Sequence, residues 1–144
     1  MTQVSEDEAA IRVVCSNYAA AVSQKDLAGI AALFTADSRV TGITVSADWP
    51  ATLIGPEGVC GWLGMNFEHI ESITQIPNTG NVVVTGDTAT ATNDIAEYIT
   101  HHGGSDFNFL IGHYDDKLRR TAEGWRFYER NFTFRIRKLV SATP

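Results

Sequence analysis

The sequence has little of the residue types that mark metal-bound, disulfide-bonded or cofactor-dependent proteins. It contains 2 cysteines and 4 prolines in 144 residues. Two cysteines are too few for a disulfide framework or a cysteine-rich metal site. The pairs Glu68-His69 and His101-His102 lack a third ligand at a recognisable spacing. Glycine-rich phosphate loops and nucleophile-elbow motifs are also absent from the sequence. We therefore expect no metal and no cofactor.

Long apolar runs and a basic recognition element are missing as well. No apolar run approaches the roughly 20 residues that span a bilayer. The first ten residues are acidic and lack the apolar core of a signal peptide, so we expect a cytoplasmic protein without a membrane partner. The net charge is −6, yet eight of the 11 Lys and Arg residues lie between Lys117 and Lys138. Because no nucleic-acid motif accompanies this basic segment, we interpret it as a solvated strand face.

The first half of the chain has the apolar spacing of helices. Ser5 and Glu8 form a capping box, which predicts a first helix over Glu6–Ser23. A second, shorter helix follows, capped by Asp26 and including Phe34. A short strand is expected around residues 39–45. Gly55-Pro56-Glu57-Gly58 then opens a third helix that runs towards Glu71.

The second half has the period of strands. Two hairpins are predicted, with strands over Asn81–Val84, Thr88–Thr100, Phe107–Thr121 and Trp125–Lys138. In the last strand the large apolar residues move from odd positions to even ones, which predicts a bulge or burial on both faces. Helices followed by antiparallel strands indicate an α+β fold, and residues 1–144 suffice for one domain.

The segment Gly112–Arg130, GHYDDKLRRTAEGWRFYER, carries a family resemblance. Its G-x-Y-x-D strand and R-T-x-x-G-W-R turn resemble the C-terminal signature of SnoaL-like domains in the NTF2-like superfamily. The resemblance implies a cone, in which N-terminal helices pack in a strongly curved, mostly antiparallel sheet around an apolar pocket. Because the superfamily includes enzymes, binding modules and assembly subunits, the motif identifies the fold better than the function.

The resemblance also shows what this chain lacks. In the scytalone dehydratase and lindane dehydrochlorinase branches, an Asp at the end of the first helix pairs with a His on the first long strand. Alignment puts that Asp at Ser23 and the His at Ile76, or at Pro77. Both dyad members are therefore missing, and we do not transfer the Asp–His mechanism. Tyr18 aligns with a pocket-lining helix position in both branches.

Other polar residues are candidates for the chemistry. Alternation along Ala89–Ile99 puts Asn93 and Glu97 on a face that we expect to look inward, where burial would raise the pKa of Glu97. An outward or paired Glu is the alternative. His113 lies on the same side of its strand as Phe109. It is either a proton carrier in the pocket or a structural residue. The candidate catalytic residues are Glu97, His113 and Tyr18. The candidate substrate-binding residues are Ser23, Val22, Asn93, Phe109, Tyr114, Ile76 and Asn131.

The resemblance implies a cofactor-independent lyase, isomerase or cyclase acting on a hydrophobic oxygenated metabolite, such as a polyketide or terpenoid. Two alternatives stay open. One is a non-catalytic small-molecule binding protein, and the other is an assembly subunit like the β subunits of ring-hydroxylating oxygenases. Phe132, Phe134 and Ile136 are expected on the outer face of the sheet, where they would support a homodimer or homotrimer.

Overall fold

A computed structural model describes residues 2–141 and contains three helices in that range: α1 (Gln3–Ser23), α2 (Leu27–Ala31) and α3 (Gly55–Phe67). The cap of α1 is Thr2, whose side chain accepts a hydrogen bond from the Ser5 amide at 3.2 Å. The helix therefore begins before the predicted start, and the capping box at Ser5 is wrong. Asp26 caps α2 as predicted, with its carboxylate 2.9 Å from the Gly29 amide.

The strands are β1 (Phe34–Thr41), β2 (Thr52–Ile54), β3 (Ile70–Thr85), β4 (Thr88–His101), β5 (Phe107–Thr121) and β6 (Gly124–Val140). The bounds predicted for β5 are confirmed, and those of β4 and β6 differ from the prediction by one or two residues. The predicted Asn81–Val84 strand is only the end of β3, which has 16 residues. Phe34 begins β1 and does not belong to α2.

All six strands form one curved sheet that does not close, in the order β2-β1-β6-β5-β4-β3. Strands β1 and β6 are parallel, whereas the other neighbours are antiparallel. The predicted α+β fold with a mostly antiparallel sheet is therefore confirmed. None of the helices in residues 2–141 is long and apolar enough to cross a membrane.

The pairing of β5 with β6 shifts register twice, and the shift at Lys117–Leu118 decides which side chains of β6 face the helices. Lys117 pairs with Glu129 whereas Leu118 pairs with Phe127, so Tyr128 is an extra residue. Such a residue moves the following side chains to the other face of the strand. The even positions Phe132 and Phe134 therefore line an internal cavity, and their predicted place on the outer face is wrong. Of the expected outer residues only Ile136 is exposed. A homodimer or homotrimer stays a prediction.

The core lies between α1 and the concave face of the sheet, and α3 closes it at the side. Side chains from α1, α2, β1, β5 and β6 are almost fully removed from water there. Examples that are at most 2% exposed are Ile11, Val22, Ile30, Phe34, Leu118 and Phe127. This apolar packing holds α1 against the concave face of the sheet, and the second half of the helix borders the cavity through Tyr18 and Val22.

Candidate functional site

An apolar cavity of about 100 Å³ lies between α1, α3 and the concave side of the sheet. Most of its wall is aliphatic or aromatic, including Leu63, Phe67, Ile70, Ile73, Ile95, Leu110, Phe132 and Phe134. Five polar side chains interrupt this wall: Tyr18, Asn66, Gln75, Glu97 and Tyr114. A few polar groups in a mostly apolar hollow are the usual composition of a small-molecule site.

Glu97 supplies the carboxyl group of the cavity. It lies on the inward face of β4, as alternation predicts, and is 8% exposed. The amide Nε2 of Gln75 donates a hydrogen bond to its Oε2 at 2.6 Å. Burial raises the pKa of Glu97, and the hydrogen bond from Gln75 opposes part of that rise. A carboxyl group with a raised pKa can take up and release protons closer to neutral pH.

Gln75 is fixed by the end of the first helix. Its backbone amide donates to Ser23 Oγ at 2.8 Å, and that hydroxyl donates to the carbonyl of Ala19 at 2.8 Å. Ser23 thus joins α1 to β3 through two backbone groups and is not part of the cavity wall. Near Ser23, the side chain of β3 that lines the cavity is Gln75. Ile76 is 54% exposed, so counting along the sequence placed the inward position one residue too late.

Sequence reasoning did not select Gln75, because β3 was predicted only from Asn81 onward. Once the strand is extended back to Ile70, alternation from the buried Ile73 identifies Gln75 as inward. The residue is also the direct cross-strand partner of Glu97. Its Oε1 atom is buried without a hydrogen-bond partner among residues 2–141. The Gln75–Glu97 pair is therefore the polar centre of the cavity.

Tyr18 and Tyr114 form a second polar part of the cavity wall, which Val22 also lines. Their rings meet edge to face at 6.2 Å between centroids. Burial is the largest cause of the raised pKa of both phenols, and the charge of Glu97 adds to it. Both hydroxyls are therefore protonated at neutral pH. Because the two phenols share a hydrogen bond with each other, one O–H of the pair is left to donate to a ligand oxygen. Of the candidate residues, Tyr18, Val22 and Tyr114 line the cavity.

A buried ionic network supports these tyrosines. The Arg130 guanidinium lies 3.7 Å from the Tyr114 ring centroid and 4.5 Å from that of Tyr18. Asp116 accepts hydrogen bonds from Arg130 Nε at 2.6 Å and from a terminal guanidinium nitrogen at 3.0 Å. Asn93 Nδ2 donates to Asp116 at 2.6 Å. Asn93 is thus buried as expected, but it belongs to this network and not to the cavity wall.

The remaining sequence candidates lie on the outer face of the sheet, away from Glu97. Leu110 and Tyr114 point inward on β5, so the odd positions of that strand point outward. His113 Nδ1 is 2.7 Å from Asp94 Oδ1, and Phe109 packs against Tyr98 at 5.1 Å. Asn131 accepts a hydrogen bond from Thr41 at the β1–β6 pair. The structure therefore does not bring these three candidates to the cavity.

Metal ligands are not grouped in the part of the chain that the structure describes. No three His, Cys, Asp or Glu side chains between residues 2 and 141 are placed to hold one ion. The polar groups that line the cavity include one carboxyl, two carboxamides and two phenols. Such groups can donate, accept and transfer protons.

Comparison with known proteins gives a family and a fold. The model of the SnoaL-like domain matches residues 3–131. The search of curated proteins gives no match. The structure is similar to hexachlorocyclohexane dehydrochlorinase LinA-type3 from Novosphingobium barchaimii LL02, with a TM-score of 0.77, 18% identity, and coverage of 94% of this chain and 90% of that one.

Two further solved structures are similar. One is LinA, with a TM-score of 0.78, 20% identity, and coverage of 95% of this chain and 90% of that one. The other is the Kfla4162 protein from Kribbella flavida, with a TM-score of 0.82, 18% identity, and coverage of 93% and 94%. At these identities the similarity establishes the fold.

Proposed function

The chain belongs to the SnoaL-like family, and on that premise we propose that it is a cofactor-independent enzyme acting on a small, apolar, oxygen-bearing molecule. The proposed reaction class is a lyase, isomerase or cyclase step in which Glu97 transfers a proton. The observation that carries the proposal is a single buried carboxyl group, held by Gln75 at 2.6 Å, in a mostly apolar cavity.

The three reaction classes share their first step. The carboxylate of Glu97 takes a proton from a carbon next to the ligand carbonyl, and the C–H electron pair moves to the carbonyl oxygen as an enolate. Return of the proton to another carbon completes an isomerisation. In an elimination, the electron pair of the enolate expels a hydroxyl group, which takes the proton from Glu97 and leaves as water. In a cyclisation, the enolate carbon bonds to a second carbonyl carbon, and the proton goes to the new alkoxide.

The phenols supply the groups that an enolate requires. Tyr18 and Tyr114 line the same cavity as Glu97, and their burial keeps them protonated. A hydroxyl donor positioned before the reaction stabilises negative charge on oxygen more effectively in a buried site than in water. We assign Tyr18 as the donor to the ligand carbonyl, with Tyr114 beside it. Ser23 is not assigned a role in the chemistry, because two backbone groups occupy its hydroxyl.

The experiment that tests the proposal follows deuterium transfer. The protein is incubated with butanone or cyclohexanone in D₂O, and deuterium at the carbon next to the carbonyl is measured by mass spectrometry. We expect the protein to accelerate incorporation, and Glu97→Gln to abolish the acceleration while leaving ketone affinity within about threefold, because Gln keeps the shape and loses the base.

Glu71→Gln is the matched control, because Glu71 lies on the same hairpin with an exposed side chain. This variant should exchange deuterium at the wild-type rate. Undiminished exchange in Glu97→Gln would show that Glu97 is not the base and would overturn the proposal.

A second candidate function is binding without catalysis. It is favoured by the position of Ser23 and Gln75, because neither an alcohol held by two backbone groups nor a carboxamide can act as a general base. Under this reading the wild-type protein binds the ketone and does not accelerate deuterium incorporation. Glu97→Gln would then leave both measurements unchanged.

A further inference from the structure

A second hollow adjoins the cavity on the side of α3. It has a volume of about 280 Å³ and is open to solvent. Its wall comes from the segment before β2, from α3 and from the turn that follows α3, and includes Val45, Ser46, Asp48, Trp49, Met65 and His69. Trp62 and Asn66 belong to the walls of both spaces. We call this space the outer hollow.

The volume of the inner cavity limits what can lie beside Glu97. An apolar protein cavity of about 150 Å³ holds one benzene molecule. The inner cavity, at about 100 Å³, is smaller than that. A polyketide or terpenoid, with several rings or a long chain, therefore cannot lie entirely within it. Such a ligand must extend beyond the inner cavity, and the outer hollow is a neighbouring space that shares Trp62 and Asn66 with it.

The wall of the outer hollow is held in place by its own hydrogen bonds. Thr44 Oγ1 donates to the carbonyl of Pro50 at 3.1 Å, which closes the segment before β2. Within it, the Asp48 amide donates to Ser46 Oγ at 3.2 Å. On α3, Asn66 Nδ2 donates to the carbonyl of Trp62 at 2.7 Å, which fixes the side chain at the junction. The hollow is therefore a formed surface on which part of a ligand could rest.

From these dimensions we propose that the inner cavity and the outer hollow are two halves of one binding site for an elongated ligand. The carbonyl end lies beside Glu97 and Gln75, and an apolar tail passes Trp62 to lie on Trp49 and Met65. This inference rests on the proposed function and names its substrate class: a small carbonyl group on an extended hydrocarbon, not a compact polycycle. The two spaces together fall within the roughly 300–1,000 Å³ typical of small-molecule sites.

The test is the dependence of affinity on ligand length. Methyl ketones from butanone to decanone are titrated into the protein by isothermal calorimetry. Burial of each additional CH₂ group should tighten binding about fourfold. If the tail occupies the outer hollow, this gain continues to the longest ketones. If the tail leaves the protein after the inner cavity, affinity stops rising after the first few members, and the inference is wrong.

A variant of the hollow gives the second measurement. Met65 is 45% exposed on α3, so Met65→Asp places a charge under the tail without opening the core. We expect it to weaken nonanone and decanone about tenfold or more while leaving butanone unchanged, because a charge resists burial by hydrocarbon. Val13→Asp is the matched control, since Val13 is 56% exposed on α1, and it should change neither affinity.

The outcomes separate the two proposals. If butanone binds and exchanges deuterium but longer ketones gain nothing, the elongated site is wrong and the proposed function stands. If Met65→Asp and Val13→Asp weaken the long ketones equally, the binding of the tail is nonspecific and the elongated site is wrong. If no ketone in the series binds, both proposals fail.

Discussion

Replacement of Asp116 by Asn removes the only carboxylate bonded to Arg130 in the described chain. The side chains of Arg130 and Asp116 are 3% and 0% exposed, so water cannot replace the lost charge. Asn has nearly the volume of Asp and can still accept one hydrogen bond. The change therefore leaves the packing in place and leaves the guanidinium as an uncompensated buried charge.

The expected loss follows from that geometry. Breaking a buried ion pair by removing one partner typically costs about 3 to 5 kcal/mol of unfolding free energy. Typical small proteins have about 5 to 15 kcal/mol in total, so the loss is a large share. With a urea m-value of about 1.5 kcal/mol/M, it lowers the unfolding midpoint by about 2 to 3 M.

The assay is urea unfolding followed by circular dichroism, with two comparison variants. Asp115→Asn makes the same change one residue away, where the carboxylate is 65% exposed, and should cost less than about 0.5 kcal/mol. Asp116→Asn combined with Arg130→Met removes both charges and should be more stable than Asp116→Asn alone. A loss below about 1 kcal/mol in Asp116→Asn, or simple additivity in the double variant, would refute the reasoning.

Three further predictions concern ionisable groups. Arg120 lowers the pKa of Asp7, so the stabilisation from this ion pair is fully present above about pH 4 and is lost as the pH falls further. Asp7→Asn should therefore lower the melting temperature at pH 7, and the difference in melting temperature from wild type should become smaller in acid. Burial raises the pKa of Glu97, so the ionised carboxylate destabilises the fold above that pKa. Glu97→Gln should therefore melt at a higher temperature than wild type at pH 8 but not at pH 4. Gln75→Leu removes the hydrogen bond that favours ionised Glu97, so deuterium exchange should need a higher pH to reach half its maximum; an unchanged midpoint would contradict this.

The elements that sequence reasoning predicted well have strong local signals. The bounds of β5 follow from the glycine-containing loop before the strand and the tight turn after it. The start of α3 follows from Gly55 and Pro56, which suit a helix entry. Strand β3 has no comparable signal, because Pro77 and Gly80 interrupt it. Its pairing with β4 over most of its length makes it a strand.

Residues of the candidate site were predictable where alternation alone decides the face. Glu97 is inward because it shares a face with Ala89, Ala91 and Ile95, all buried. The sequence predicts a bulge or two-sided burial in β6 but not where a bulge lies, because its position at Tyr128 depends on the register with β5. Arg130 and Phe132 were therefore not assigned to the inward face. His113 was misplaced for a simpler reason: aromatic neighbours on its strand side suggested a core, whereas those neighbours form an outer patch with Tyr98.

The position of the carboxyl group leads to a prediction about pH. The contact between the end of α1 and β3 is made here by Ser23 and the backbone of Gln75, and neither group titrates near neutral pH. The carboxyl group that can carry a proton lies on the neighbouring strand β4, on Glu97, which is the direct cross-strand partner of Gln75. His113 is on the outer face and cannot contribute a second ionisation in the cavity.

Deuterium exchange should therefore depend on a single ionisation. The base must be deprotonated, so the rate rises with pH through the raised pKa of Glu97 and then stays level while the phenols remain protonated. Rates measured from pH 4 to 9 should fit one ascending midpoint above 4.5, the ordinary pKa of a Glu side chain. A bell-shaped profile with its descending limb near neutral pH would reveal a second titrating group and contradict the assignment of Glu97 as the sole proton carrier.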